Sequence, residues 1–369
     1  MKPEKIGKLL FVVPSFSNGG AERVVSVLAS TLAENNVDTY CIVYYKEKNE
    51  YPYSENIKVQ YLAGDGEDSY KTLGMKEKVK KLRKMIFQIK PNYIIPFLPQ
   101  VGFHVFLATF GHKYKVVQTV RNNPRTDPET RYERFIRNLM VAFSWRSFVQ
   151  NQEQLSYFPS FIQRKLTIIP NPISDVFFEC NHVYKETILE ITAMGRLSEQ
   201  KNFSLLINVA KIIHRDYPDV HFSIYGDGPL RDELQKKIIN DNLDGIVALQ
   251  GRTNSAQKAL NEADVFIMTS NYEGMPNALL EAMAVGLPCI STDCPTGPSD
   301  IIDNGINGML VPVNNEVALT KAIEKYIEMG ETIAKIGKKA QKSVRDNYST
   351  DVIAHKFISE ALKIRELRR

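Results

Sequence analysis

The chain has 369 residues, which at about 150 residues per domain suggests two large domains. Its 43% hydrophobic and 24% charged residues are those of a folded globular protein and exclude a disordered, collagen-like or coiled-coil chain. The net charge of +5 divides unevenly: Met1 to Asp175 carries 25 Lys and Arg against 16 Asp and Glu, or +9, and the remainder 22 against 26, or −4.

Lys2, Lys5 and Lys8 precede the apolar run Leu9 to Val13. That run is too short for a signal-peptide core and meets Pro14, Asn18, Gly19 and Gly20, so it reads as a first buried strand. Further strands are predicted near Thr39 to Val43, Lys58 to Leu62, Tyr93 to Phe97, Lys115 to Thr119, Ser147 to Val149 and Thr167 to Ile169, with helices between them that include Ala21 to Glu34 and Arg131 to Phe143. Lys76 to Lys90 reads as a basic amphipathic helix, either a solvated face or one drawn to anionic lipid head groups at about 1 kcal/mol per basic residue. Nucleic acid is not expected as a partner, because no recognition module accompanies the charge. Tyr93 to His112 has no charged residue, but Pro96, Pro99 and Gly102 interrupt it, which favours a strand, a loop and a buried helix from about Val101 to Phe110 over a membrane span.

Pro170, Asn171 and Pro172 and a polar segment through Glu186 mark a junction, after which the alternation restarts with a strand from Ile188 to Met194. The predicted strands that follow are Val220 to Tyr225, Ile246 to Leu249, Val265 to Thr269 and Pro288 to Ser291. Their helices are Phe203 to His214, Leu230 to Asn240, Ser255 to Asn261 and Pro276 to Val285. The expectation is an α/β protein of two doubly wound, Rossmann-like domains, residues 1–175 and 176–349, with a last amphipathic helix, 350–369, packing back on the first. A ligand belongs at the carboxyl ends of the strands, in a cleft where the domains face each other. Four cysteines without a CxxC suggest neither a disulfide framework nor a zinc knuckle and fit a reducing cytoplasm.

Three segments can carry chemistry. Ser17 to Arg23 places Gly19 and Gly20 at a strand-to-helix turn, where backbone amides can approach a phosphate or sugar, although a structural turn accounts for them equally. Arg196 and Lys201 leave the end of the strand at Met194 together, a spacing suited to a diphosphate; the competing reading is a surface ion pair with Glu199. In Glu273-Gly274-Met275-Pro276-Asn277-Ala278-Leu279-Leu280-Glu281, Gly274 and Pro276 hold Glu273 outside the helix while Glu281 lies within it. Two carboxylates so placed can address different hydroxyls of one ligand, with the free amides of Asn277, Ala278 and Leu279 aimed at a phosphate. Acidic residues there can equally be partners of the helix dipole.

The run EGMPNALLEAMAVGLPCI, together with GGAER, GRLSEQKN, YGDGP, the Gly251-Arg252 pair and NGINGMLVP, resembles glycosyltransferase family 4, retaining nucleotide-sugar transferases of the GT-B fold. The resemblance covers nearly the whole chain and is strongest from Gly195 to Pro312. It implies that Arg196 and Lys201 neutralise the donor diphosphate, that Glu281 holds the ribose, and that Glu273 lies beside the donor sugar. Met275 and Pro276, the amides of Asn277 to Leu279, and those of Gly19 and Gly20 would line the substrate. Gly251 and Arg252 would border the base. Relatives often carry a catalytic histidine where this chain has Arg121, which then takes its place. The resemblance further implies a UDP-linked donor, a glycan acceptor carried on polyprenyl diphosphate, a peripheral position on the inner membrane face, and bacterial surface polysaccharide as the product. No DxD occurs, so transfer without a metal is expected. A phosphorylase or nucleotide-sugar epimerase of the same fold, a nucleotide-sugar sensor, and a nicotinamide-dependent oxidoreductase, for which GxGxxG is missing, are the competing readings.

Overall fold

The computed structural model describes residues 6–17 and 20–366. The chain divides into two units, Met1–Pro172 with Thr350–Arg369, and Ile173–Ser349. The first contains β1 (Leu9–Val13), α1 (Gly20–Glu34), β2 (Thr39–Val43), β3 (Lys58–Tyr61), α2 (Gly66–Lys71), α3 (Met75–Ile89), β4 (Tyr93–Pro96), α4 (Pro99–Thr109), β5 (Lys115–Thr119), α5 (Arg131–Phe143), β6 (Arg146–Val149), α6 (Gln152–Tyr157), α7 (Ser160–Gln163) and β7 (Leu166–Ile168). The second contains β8 (Glu190–Met194), α8 (Phe203–Asp216), β9 (His221–Tyr225), α9 (Arg231–Asn240), β10 (Val247–Gly251), α10 (Ala256–Glu262), β11 (Val265–Met268), α11 (Asn277–Val285), β12 (Cys289–Thr292), α12 (Pro298–Ile301), β13 (Met309–Val311), α13 (Glu316–Glu328) and α14 (Ala334–Tyr348). The last helix, α15 (Thr350–Glu366), belongs to the first unit.

Every strand pair is parallel, in a seven-stranded sheet of order β3-β2-β1-β4-β5-β6-β7 and a six-stranded sheet of order β10-β9-β8-β11-β12-β13. Strands β1, β4 and β11 are apolar throughout because both faces are covered. In β1, Leu9, Phe11 and Val13 enter a core shared with α1 and α15, while Leu10 and Val12 enter one shared with α3 and α4. The same period of two sends Val265 and Ile267 of β11 toward α8, and Phe266 and Met268 toward α11 and α14. The helix α15 lies beside α1 through Ile353, Ala354 and Phe357, whose ring meets Phe11 and Phe148 at 6.0 and 5.3 Å.

In both sheets the order reverses beside the first strand of the unit, between β1 and β4 and between β8 and β11. There the helices before and after pass to opposite faces, so the loops at the carboxyl ends part and leave room for a ligand. The uncharged stretch from Tyr93 forms β4 and α4, and no helix among the described residues is long and apolar enough to cross a membrane. The expected helix at Pro276 begins one residue later, with Pro276 as its cap.

Candidate active site

In the second unit the loops after β8, β9 and β10 are stitched into a row along the carboxyl edge of the sheet. Gly195 N–H donates to the Tyr225 carbonyl at 2.9 Å, Gly226 N–H to Gly251 at 2.8 Å, and Leu197 N–H to Asp227 at 3.0 Å. Gly226 has φ of 146°, and a Cβ there would collide with the Gly195 carbonyl, so the YGDGP turn packs this closely only with glycine. The row presents Arg196, exposed, at one end and Gly251 with exposed Arg252 at the other. Arg252 Nε stands 3.9 Å from Asp227 Oδ2, a loose pair between side chains that are 72% and 47% exposed.

Across the point of strand reversal, the loop after β11 meets the loop after β8. Lys201 Nζ donates to Glu273 Oε1 at 2.5 Å, and Ser270 Oγ donates to the same oxygen at 2.6 Å. The two charged side chains are 17% and 6% exposed. Their loops are tied independently: Thr269 Oγ1 donates to the Lys201 carbonyl at 2.8 Å, Gln200 Nε2 to the Tyr272 carbonyl at 3.0 Å, and Asn271 N–H to the Gln200 carbonyl at 2.8 Å. The ion pair of this segment is therefore with Glu273, 72 residues away, and not with neighbouring Glu199. Beside the pair, burial and then the Glu273 charge push the Cys294 thiol up to about 12, so it is a neutral thiol at neutral pH.

One expectation about the start of α11 is corrected. Pro276, at φ −79° and ψ 81°, forms a tight inverse γ-turn, and the Asn277 N–H donates to the Met275 carbonyl at 2.9 Å instead of standing free. Leu280 N–H reaches the Pro276 carbonyl at 3.1 Å. The amides of Ala278 and Leu279 meet no backbone acceptor among the described residues, so two donors of the expected three remain at the positive end of the helix. Glu281, buried, follows on the same helix, and Gly286 in a left-handed conformation, φ 100°, ends it.

In the first unit Gly20 is the exposed first residue of α1, and Gly19 lies outside the described residues. Arg121 follows β5. Its guanidinium stacks on the Phe97 ring at 4.2 Å, and Nη1 donates to Asn171 Oδ1 at 3.1 Å, an oxygen that also accepts from Gln150 Nε2 at 2.9 Å. Nε and Nη2 are buried without a hydrogen-bond partner among the described residues. Burial lowers the Arg121 pKa to about 9, which leaves it cationic at neutral pH. A fixed cation can stabilise negative charge but cannot take up a proton as a histidine would. His104, in contrast, is a packed core residue, with Nδ1 3.0 Å from the Tyr44 hydroxyl.

The site thus gathers Arg196, Lys201, Glu273 and the α11 start at the β8–β11 reversal, with Gly251 and Arg252 further along the same edge. Sequence reasoning missed Ser270, which holds Glu273, and Asn171 and Gln150, which hold Arg121. Polar residues immediately after a buried strand, as in Thr269-Ser270-Asn271, were the available signal.

Residues 181–343 match the family model described as Glycosyl transferases group 1. A poly(ribitol-phosphate) alpha-N-acetylglucosaminyltransferase of Staphylococcus aureus is 32% identical over 166 residues, which take in 45% of this chain and 34% of that relative. The chain therefore spans about a third of that relative's length. From Campylobacter jejuni, a GalNAc-alpha-(1->4)-GalNAc-alpha-(1->3)-diNAcBac-PP-undecaprenol alpha-1,4-N-acetyl-D-galactosaminyltransferase is 26% identical over 321 residues, 86% of this chain and 88% of the relative. Among solved structures, Anabaena Alr3699/HepE in complex with UDP and glucose superposes with a TM-score of 0.79 at 18% identity, covering 97% of this chain and 99% of that one. The fold is GT-B, and the family match supports a glycosyltransferase. Nothing in these matches supports a phosphorylase, an epimerase or an oxidoreductase.

Proposed function

We propose that the protein is a retaining glycosyltransferase that moves a sugar from a UDP-linked donor to a lipid-linked glycan acceptor in the assembly of bacterial surface polysaccharide. The observation that carries this reading is the Lys201–Glu273 pair, set with Arg196 at the reversal of strand order where doubly wound sheets bind nucleotides. UDP is favoured by its presence in the Anabaena neighbour, and a lipid carrier by the PP-undecaprenol in the name of the Campylobacter relative. Such an acceptor would hold the enzyme at the cytoplasmic face of the inner membrane as a peripheral protein.

Breaking the anomeric C–O bond puts negative charge on the departing diphosphate and positive charge on the sugar ring. Arg196 and Lys201 answer the first, and the Ala278 and Leu279 amides add to them; one pre-positioned donor of this kind contributes about 3 kcal/mol. Glu281 holds the ribose hydroxyls, Gly251 and Arg252 border the base, and Met275 and Pro276 shape the wall between. Glu273 orients the donor sugar. The acceptor hydroxyl attacks from the face the diphosphate leaves, a phosphate oxygen takes its proton, and configuration is retained. The side-chain cations make a metal unnecessary.

The test is incubation of the purified protein with a panel of UDP-sugars and lipid-linked acceptors, with and without EDTA, followed by NMR of the new linkage. Transfer with retention, undiminished by EDTA, is expected. Inversion, or no turnover with any member of the panel, overturns the reading.

A further inference from the structure

The sheet of the first unit is covered on the side away from α1 and α15 by α3, α4 and α5. The crossovers from β3 to β4, β4 to β5 and β5 to β6 all run in one direction along the sheet, and right-handed connection puts their helices on one face. Arg83 fastens two of them, donating from Nε and Nη2 to the carbonyls of Ala108 and Leu107 at 2.9 Å each, at the end of α4.

The outward side of this layer is unlike the rest of the surface. Helix α5 buries Arg137, Met140 and Val141 and turns Tyr132, Phe135, Leu139 and Phe143 outward, at 73%, 58%, 37% and 75% exposure. Their spacing of three, four and four residues makes one continuous stripe. Neighbouring α4 has no charged residue and is followed by Phe110, 69% exposed. On the far side of α4, Lys76, Lys80 and Lys84 form an exposed basic stripe on α3 that also carries Phe87. A chain that needed only solubility would not place large aromatic side chains in a row on an open helix face.

We infer that this face docks on an anionic lipid bilayer, with the α5 stripe and Phe110 at the boundary between head groups and acyl chains and the α3 lysines over lipid phosphates. Charge selects this occupant over a second copy of the chain. The only acid on α3, Glu77, already pairs with Lys81 at 3.4 Å, and the only acid on α5, Glu133, accepts from Thr130. A second copy would bring lysines to lysines, whereas phosphatidylglycerol supplies the missing anions. The inference deepens the reading of a lipid-linked acceptor, but its measurement needs neither donor nor acceptor, so it can fail while transfer stands, and the reverse.

The experiment is co-sedimentation with phosphatidylglycerol–phosphatidylcholine vesicles. The full chain is expected to bind them, to bind at least tenfold less after Phe135→Ser with Phe143→Ser, and to lose the dependence on phosphatidylglycerol after Lys80→Glu with Lys84→Glu. Thermal unfolding of these surface variants should match the parent. High salt should weaken binding without abolishing it, since screening leaves the apolar contact. In Phe143→Trp, vesicles should blue-shift the emission and brominated lipid should quench it beyond the contribution of Trp145. Wild-type protein left in the supernatant, vesicle binding untouched by the serine pair, or a fall in the protein's own sedimentation mass on introducing the serine pair without lipid, overturns the inference; the last outcome would assign the stripe to self-association.

Discussion

Lys201 and Glu273 are the most exacting test of the site, because their contact has consequences for stability that do not require knowing the substrate. Lys201→Met keeps the side-chain stem that packs on Gly195 and removes the ammonium; Glu273→Gln keeps an oxygen for the Ser270 hydroxyl and removes the carboxylate. Lys201→Met leaves the buried Glu273 carboxylate, and Glu273→Gln the part-buried Lys201 ammonium, without its partner, which costs about 3–5 kcal/mol. The unit concerned runs from Ile173 to Ser349, 177 residues by subtraction. A domain of that size loses roughly 2–4 °C per kcal/mol, so each single variant should unfold roughly 6–20 °C lower. With both charges gone the penalty largely disappears, and the double variant should return to within about 1 kcal/mol of the parent, a coupling of at least about 5 kcal/mol. Calorimetry or urea unfolding of the four proteins closes the cycle. Additive effects, with coupling below about 0.5 kcal/mol, would mean the pair is solvated and would refute the account of a part-buried, pre-set cation.

Arg196→Ala should cut turnover at least a hundredfold, about 3 kcal/mol of lost charge stabilisation, while unfolding stays unchanged because the side chain is exposed; steady-state rates beside a melting curve decide it. Glu281→Gln should weaken binding of the nucleotide sugar about 10- to 100-fold, the range for a hydrogen bond to a charged group, with kcat little changed, as calorimetric titration would report. His104 gives a pH signature. Burial first, and the nearby Lys78 charge second, depress its pKa to about 4 from an ordinary 6.5, while Tyr44 and Tyr70 face its Nδ1. The unfolded chain therefore takes up a proton that the native imidazole refuses, so the full stability is present above pH 6.5 and is lost as pH falls toward 4. The loss reaches about 2 kcal/mol at pH 5, and His104→Gln should flatten that slope in urea unfolding between pH 7 and 5. An equal slope in the variant would count against it.

How much of this was legible beforehand follows from the range over which each feature is decided. The runs at Leu9 to Val13 and Val265 to Met268 announce themselves because strands buried on both faces must be apolar at every position. Met309 to Val311, only three residues long, shows no alternation to read, and it passed as part of a glycine-rich motif. Arg196, Lys201, Glu273 and Glu281 could be singled out one at a time from strand ends and helix starts. Their combination could not. The local rule offered Glu199 as the partner of Lys201, two residues away, and the structure takes Glu273 because β11 lies directly against β8. That adjacency depends on a crossover reversing direction after β10, a choice made by the packing of whole helices and invisible in any window of the sequence. The amide of Asn277 errs in the opposite sense: counting free donors at a helix start is sound for an open terminus, but a proline turn folds the preceding carbonyl back onto the first of them. Spacing therefore nominates the residues that can act at this site, while strand order determines which of them neutralise one another until a ligand arrives.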